Sequence, residues 1–242
     1  MGVDITSGNN SKAVTNITPS SGAKSKALDL TKRYLLFIFS LFCTAMGIAL
    51  ARHSDLGVSP ISSVANILSL KYTNISLGNW LIIWHCFLIV GQIILLRKNF
   101  QLIQLLQLPL SLLFGWFTDI CVVIVSPIPT PVYPVRLAII FVGILFTALG
   151  VSLGLIANVI LNCGEAMVKA IADTFRLDFG YTKVGFDVFC VTTSVVLSLI
   201  FFDMPIHGTR EGTVIIALTT GLVVKVYMKH IKTPVERLLK LQ

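Results

Sequence analysis

The sequence predicts an all-α fold, a polytopic membrane helix bundle built from two repeats of three spans plus one short helix each. Three observations predict this class. Only 12% of the 242 residues are charged and the mean hydropathy is +0.86, whereas a soluble domain has about 25% charged residues. Long apolar runs recur along the chain. A short sequence pattern in the first half returns in the second.

Six apolar runs are long enough to cross a hydrocarbon core of about 30 Å. Three of them contain no Asp, Glu, Lys or Arg, namely Tyr34–Ala51, Leu77–Leu96 and Leu137–Leu161. The other three contain one charged residue each: Leu102–Val125 with Asp119, Val184–Phe202 with Asp187, and Gly212–Met228 with Lys225. The chain is therefore expected to be one membrane domain with the lipid bilayer as its main partner, and without a soluble catalytic domain.

The net charge of +8 is an orientation signal. With the N terminus inside, all but four of the 19 lysine and arginine residues fall on or near the cytoplasmic side; the exceptions are Arg52, Lys71, Arg136 and Arg210. This asymmetry follows the positive-inside rule. The sequence thus predicts a multi-pass protein of the cell membrane with both termini cytoplasmic, and it argues against nucleic acid as a partner.

Two short helices are predicted between spans. In "GVSPISSVANILSL", Ser59 suits an N-cap and Pro60 the first helical turn. The whole segment has only fourteen residues before Lys71, or roughly 21 Å, too short to cross. In the second half, "NCGE" places Asn162 as an N-cap and Glu165 three residues later, close to a capping box. The amphipathic segment "CGEAMVKAIADTF" that follows is too polar to span lipid alone.

The repeat rests on "CTAMGIAL" in the first span and "FTALGVSL" in the fourth. Thr44, Ala45, Gly47 and Leu50 recur as Thr147, Ala148, Gly150 and Leu153, and the same offset places both helix starts at matching positions. If the short helices enter and return, each half crosses three times and the second half is inverted, as in many secondary transporters. If they cross, there are eight spans and a parallel repeat. Charge and helix length favour six.

Five regions follow from these patterns. We expect a disordered cytoplasmic tail (1–32), a first membrane repeat (33–126), a Pro-rich external linker (127–135), a second repeat (136–230) and an amphipathic C-terminal tail (231–242) with its own short helix from Thr233 and Pro234.

A helix that starts inside a bundle aims free N–H groups and a partial positive charge at whatever lies there, and so favours an anionic group. Ser59, Ser62, Asn162 and Glu165 are therefore predicted to line a solute site between the two helix starts. Glu165 is the exception within this set, because an ionised carboxylate would favour a cation or a proton instead. The alternative is that both short helices only fill the bundle.

Four further ionisable residues are candidates for proton or polar coupling, since charge inside a membrane is costly and faces the bundle interior: His85, Asp119, Asp187 and Glu211. Each also has a structural interpretation. His85 could donate to a neighbouring carbonyl, Asp119 could be solvated at the interface, Asp187 could pair with Lys183 on the same helix face, and Glu211 could cap its span or pair with Arg210.

Catalytic motifs such as HExxH, GxSxG and GxxxxGK[ST] are absent from the sequence, so no enzyme activity is expected. The five cysteines lie singly in apolar segments, without a CxxC pair, so neither a disulfide framework nor a metal site is predicted. No cofactor is implied.

Three segments, "LGVSPISSVANILS", "SLGNW" and "GTREGTVIIALTTGLVVK", together resemble the YczE/YyaS/YitT group of bacterial integral membrane proteins. The resemblance covers about residues 33–230. The matching positions are Gly57, Ser59, Pro60, Gly78, Glu211, Gly212, Thr213 and Gly221. It implies a polytopic cytoplasmic-membrane protein of largely undefined activity, often suspected of transport.

Together these features favour a transporter or permease of a small solute, with an anionic solute favoured by the helix starts. Two alternatives stay open: a non-transporting accessory or regulatory membrane protein, and a substrate-binding subunit of a larger pump. A second copy of the chain or another membrane protein remains a candidate partner.

Overall fold

The computed structural model describes residues 21–130, 132–202, 208 and 210–239, and the regular elements in these ranges are all helical, as predicted. They are α1 (Ser21–His53), α2 (Pro60–Lys71), α3 (Leu77–Leu96), α4 (Gln107–Val125), α5 (Tyr133–Ala157), α6 (Cys163–Phe175), α7 (Phe179–Phe202) and α8 (Glu211–Leu239), with two short 3-10 segments, Arg97–Asn99 and Leu102–Leu106, between α3 and α4.

Six of these helices are long and apolar enough to cross a membrane: α1, α3, α4, α5, α7 and α8. The short helices α2 and α6 have 12 and 13 residues, which corresponds to about 18 and 20 Å. The prediction of six long apolar helices with two short ones between them is confirmed.

Helices α1 and α5 form the central pair and run antiparallel. Gly47 on α1 lies against Thr147 and Gly143, while Gly150 on α5 lies against Thr44 and Ser40. Small residues at these positions let the two backbones approach closely, as is typical of helix contacts in membranes. The segments with matching sequences, around Gly47 and Gly150, therefore contact each other reciprocally. The inverted repeat itself stays a prediction.

The other helices surround this pair. Helix α4 packs on α1 and on α3, α8 packs on α5, and both short helices contact α3 and α7. We call the side where α1 begins and α3 and α5 end the N-terminal face, and the side with His53, Tyr133 and Phe202 the opposite face.

Helix α8 is the least covered by the rest of the chain. Only 6% of its most apolar 18-residue stretch is buried, compared with 61% of the corresponding stretch of α1. Its exposed apolar side chains include Val214, Leu218, Leu222 and Val226.

The two short helices meet at their N termini in the interior of the bundle. A Cβ atom at Gly164 would lie 2.6 Å from Cδ1 of Ile61, so these two residues are in direct contact. From this point the helices diverge. Helix α2 ends at the opposite face, where Lys71 Nζ donates to the carbonyl oxygen of Phe201 at 3.2 Å, and α6 ends at the N-terminal face.

The structure differs from the sequence prediction at two boundaries. Helix α1 begins at Ser21, within the region expected to be disordered; residues 1–20 lie outside the described residues. Helix α8 continues through Pro234 to Leu239, without a break before a separate C-terminal helix. Proline keeps a helical φ and removes one backbone hydrogen bond; Pro234 is exposed, where water can satisfy the freed carbonyl.

Candidate functional site

A cavity of about 710 Å³ opens at the N-terminal face between α1, α5, α6 and the connection from α3 to α4. This is the size of a typical small-molecule site. Its apolar wall includes Phe37, Leu41, Leu155, Ile160 and Leu161. Its polar and charged lining residues are Ser40, Thr44, Asn99, Gln101, Gln104, Gln107, Asn158, Asn162, Glu165, Lys169, Asp173, Thr174 and Arg176.

Glu165 lies at the inner end of the cavity, on the first turn of α6. The predicted capping box does not form. Asn162 Oδ1 accepts from the backbone N–H of Cys163 at 2.8 Å, and Glu165 makes no hydrogen bond or ion pair with any residue that the structure describes. A capping box would require the Glu165 carboxylate to accept the backbone N–H of Asn162. The Glu165 side chain lines the cavity instead.

The Glu165 residue is half-buried and lines the cavity. Burial nevertheless raises its pKa, since the surrounding protein disfavours the charged form; Lys183 opposes this rise and Asp187 adds to it. Glu165 is thus an unpaired acid at the inner end of a polar cavity.

The outer part of the cavity has charges of both signs. Lys169 Nζ lies 3.7 Å from Asp173 Oδ2, one turn further along α6, and both side chains are more than half exposed. Arg176 follows α6 in the left-handed region, with φ 54°. These three residues were not among the predicted site residues. Lys169 and Asp173 lie within the predicted α6, and Arg176 directly follows it.

Three glutamines at the start of α4 and in the connection before it form another wall of the cavity: Gln101, Gln104 and Gln107. Gln107 and Gln92 exchange amide hydrogen bonds of 3.2 Å, and both are buried. Gln104 Oε1 is buried but accepts no hydrogen bond within the described part of the chain. Sequence reasoning missed this wall. The signal was available in "QLIQLLQ", where Gln101, Gln104 and Gln107 recur every third residue.

His85 lies behind this wall, in a buried polar chain that does not line the cavity. Its Nδ1 is 3.1 Å from Ser111 Oγ, which is 3.1 Å from Cys163 Sγ. Burial raises the pKa of the Cys163 thiol to about 11, so it stays protonated at neutral pH. The void beside these groups has a volume of only about 10 Å³, and a cavity needs about 10–15 Å³ to hold one water molecule.

Ser59 and Ser62 lie outside the cavity. The expected cap does not form, because the Ser59 hydroxyl donates to Ser62 Oγ at 2.9 Å, and the Ser62 N–H bonds to the Ser59 carbonyl oxygen instead. The two short helices do approach each other at their N termini, but Ile61 fills the contact. Of the four predicted lining residues, only Asn162 and Glu165 face the cavity.

The three other predicted coupling residues have local partners. Asp119 accepts from the Ser76 hydroxyl at 2.6 Å and from the Gly78 N–H at 2.8 Å, so it caps α3 from α4. Asp187 receives Lys183 Nζ at 2.6 and 2.8 Å, the expected pairing.

Glu211 starts α8, and its Oε2 lies 3.4 Å from Arg210 Nε on an exposed surface. This agrees with the structural interpretation of Glu211.

Comparison with known proteins identifies the family of this chain. The profile of DUF6198, a family of unknown function, matches residues 31–229. The chain belongs to this family. The match defines no activity, and it gives no support for the YczE/YyaS/YitT name specifically. No curated protein and no solved structure matches the chain. A function for this DUF6198 protein therefore has to be inferred from the cavity and its lining residues.

Proposed function

We propose that this DUF6198 protein is a transporter of a small polar solute, which binds in the cavity between α1, α5 and α6. The observation behind the proposal is the cavity itself. It extends from one face to an unpaired Glu165 at the start of a short helix in the bundle interior. Secondary transporters bind solutes at such sites, beside interrupted helices near the midplane.

Contacts at the opposite face support a conformation open on one side only. The backbone N–H of Gly212 donates to the carbonyl oxygen of Leu56 at 2.9 Å, which joins the start of α8 to the loop before α2. Asn66 Nδ2 donates to the Gly208 carbonyl oxygen at 3.1 Å. A bundle closed here and open at the N-terminal face has the asymmetry that alternating access requires.

The reciprocal contacts of α1 and α5 support an inverted repeat, in which α1–α4 correspond to α5–α8. In that arrangement, α2 and α6 are equivalent half-helices.

Because the positive-inside rule favours a cytoplasmic N-terminal face, the cavity would open to the cytoplasm of the cell. The earlier expectation of an anionic solute loses part of its basis, because Ser59 and Ser62 lie outside the cavity.

Uptake by proteoliposomes tests the proposal, with a solute chosen from compounds that raise the unfolding temperature of the purified protein. Val151 lines the cavity, and Val142, on the same helix, is 43% exposed on the outer surface. Val151→Trp should abolish saturable uptake by filling the cavity, whereas Val142→Trp should leave it intact. Equal uptake by both variants would contradict the proposal.

A second candidate function is that of an accessory membrane protein or a pump subunit, and the weakly covered helix α8 favours it. A partner, or a second copy of the chain, would cover this helix. Native mass spectrometry of the protein extracted in a mild detergent tests this: a stoichiometric partner that Leu218→Arg removes supports the accessory function, and a monomer contradicts it.

A further inference from the structure

We infer that the solute of this cavity is an organic cation, whose ammonium group binds Glu165 and whose hydrocarbon part lies against the apolar wall. This inference rests on the proposed function and names its substrate class.

The charged residues in and near the cavity leave Glu165 without a cation within ion-pair distance in the described part of the chain. Among the charged residues lining the cavity, Lys169 and Asp173 pair with each other near the mouth. The nearby Lys183 is held by both carboxylate oxygens of Asp187. Glu165 therefore has no cation of its own in the described residues. A desolvated carboxylate without a partner is costly, and a cationic guest removes that cost.

The N terminus of α6 does not reverse this preference. Its partial positive charge already has an acidic residue, Glu165, in the first turn. The cavity's cationic side chains, Lys169 and Arg176, belong to its outer part. An anion would therefore bind near the mouth.

The lining of the cavity suits an organic cation better than a metal ion. No three His, Cys, Asp or Glu side chains of the described residues come close enough to hold a metal. Phe37, Leu41 and Ile160 provide an apolar surface on which a hydrocarbon body can pack.

Three probes of similar size and different charge test the inference: phenethylamine, which is a cation at pH 7, 3-phenylpropionate and 2-phenylethanol. Binding to the purified full-length protein is measured by calorimetry and by the unfolding temperature. We expect the cation to bind most tightly, and Glu165→Gln to weaken it by about tenfold or more, the loss of one partly buried charge interaction. Glu236→Gln makes the same chemical change on α8 outside the cavity, and should leave the affinity unchanged.

If Glu165→Gln does not fold, the preference of wild type for phenethylamine over 2-phenylethanol, and its loss in Val151→Trp, test the inference. Tighter binding of the anion or the alcohol, lost in Val151→Trp, would overturn the organic-cation inference and leave the solute cavity in place. Equal cation affinity in wild type and Glu165→Gln would also overturn it. Absence of binding for all three probes would overturn this inference, whereas the proposed function is decided separately by uptake in Val151→Trp and Val142→Trp.

Discussion

Asp119 shows how one residue can connect two helices. Its carboxylate lies in α4, yet it accepts hydrogen bonds from the Ser76 hydroxyl and the Gly78 N–H at the start of α3. It thereby satisfies an N–H group that the first turn of a helix leaves free. The charge also complements the positive end of the α3 dipole.

Replacement of Asp119 should therefore destabilise the fold. Asp119→Ala removes two hydrogen bonds to a charged acceptor and should lower the free energy of unfolding in detergent by about 1–3 kcal/mol. Ser76→Ala removes one of these bonds and the hydroxyl that accepts from Asn79 N–H, and should cost about 1 kcal/mol. If Asp119→Ala unfolds at the same temperature as wild type, the cap is not a stabilising contact.

Glu165 should make stability depend on pH. Its folded-state pKa is raised above the ordinary value of 4.5 by burial, so the folded protein retains the proton more readily than the unfolded chain. Its contribution to stability is then present below the ordinary pKa and is lost as pH rises through the folded-state pKa.

The measurement is the unfolding temperature of wild type and of Glu165→Gln across a pH series from 4 upward. At each pH, the difference between the two temperatures removes the effect of the other titrating groups, which both proteins share. Wild type should lose stability relative to Glu165→Gln as pH rises above about 4.5, the ordinary glutamate range. A difference between the two proteins that does not change with pH would mean that the Glu165 carboxylate is well solvated.

At the scale of whole helices, the contact between α1 and α5 depends on the absence of side chains at Gly47 and Gly150. A Cβ atom at Gly150 would overlap Thr44 and lie 2.6 Å from the Ser40 carbonyl oxygen. The helices would have to separate to admit it. A Cβ atom at Gly221 on α8 would instead meet no atom of another described element within 4 Å.

Gly150 and Gly221 form a matched pair for mutation. Gly150→Ala should destabilise the protein by about 1–3 kcal/mol, the usual cost of overpacking. Gly221→Ala should be neutral or stabilising by up to about 1 kcal/mol, since alanine has the higher helix propensity. Thermal unfolding in one detergent compares them directly, and similar effects of the two substitutions would exclude close packing as the cause.

At the scale of the whole molecule, the path of α3 places Asn74 at the opposite face and Asn99 at the mouth of the cavity on the N-terminal face. With the native cysteines replaced, Asn74→Cys should react with a membrane-impermeant thiol reagent on intact cells. Asn99→Cys should react only after permeabilisation. The reverse pattern would contradict the cytoplasmic orientation of the N-terminal face, and labelling of both sites on intact cells would contradict the path of α3.

Much of the fold could be predicted from the sequence because it depends on contacts that are local or made with lipid. Uninterrupted apolar runs predicted the six long helices, since apolar side chains are required wherever a helix faces hydrocarbon. Pro60 and Asn162 predicted the starts of the short helices. The pair of Lys183 and Asp187 followed from a spacing of four residues on one helix face.

The site required the tertiary structure. Its cavity is assembled from α1, α5, α6 and the α3–α4 connection, so no local pattern contains it. The same is true of the Asp119 cap on α3, of Ile61 filling the contact with Gly164, and of the separation of Ser59 from Glu165. The sequence determined which segments enter the membrane, because that choice depends on the hydrophobicity of each segment alone. The packing of segments distant in sequence decided which polar groups find partners and which face a cavity, because that outcome depends on the shapes of several helices at once.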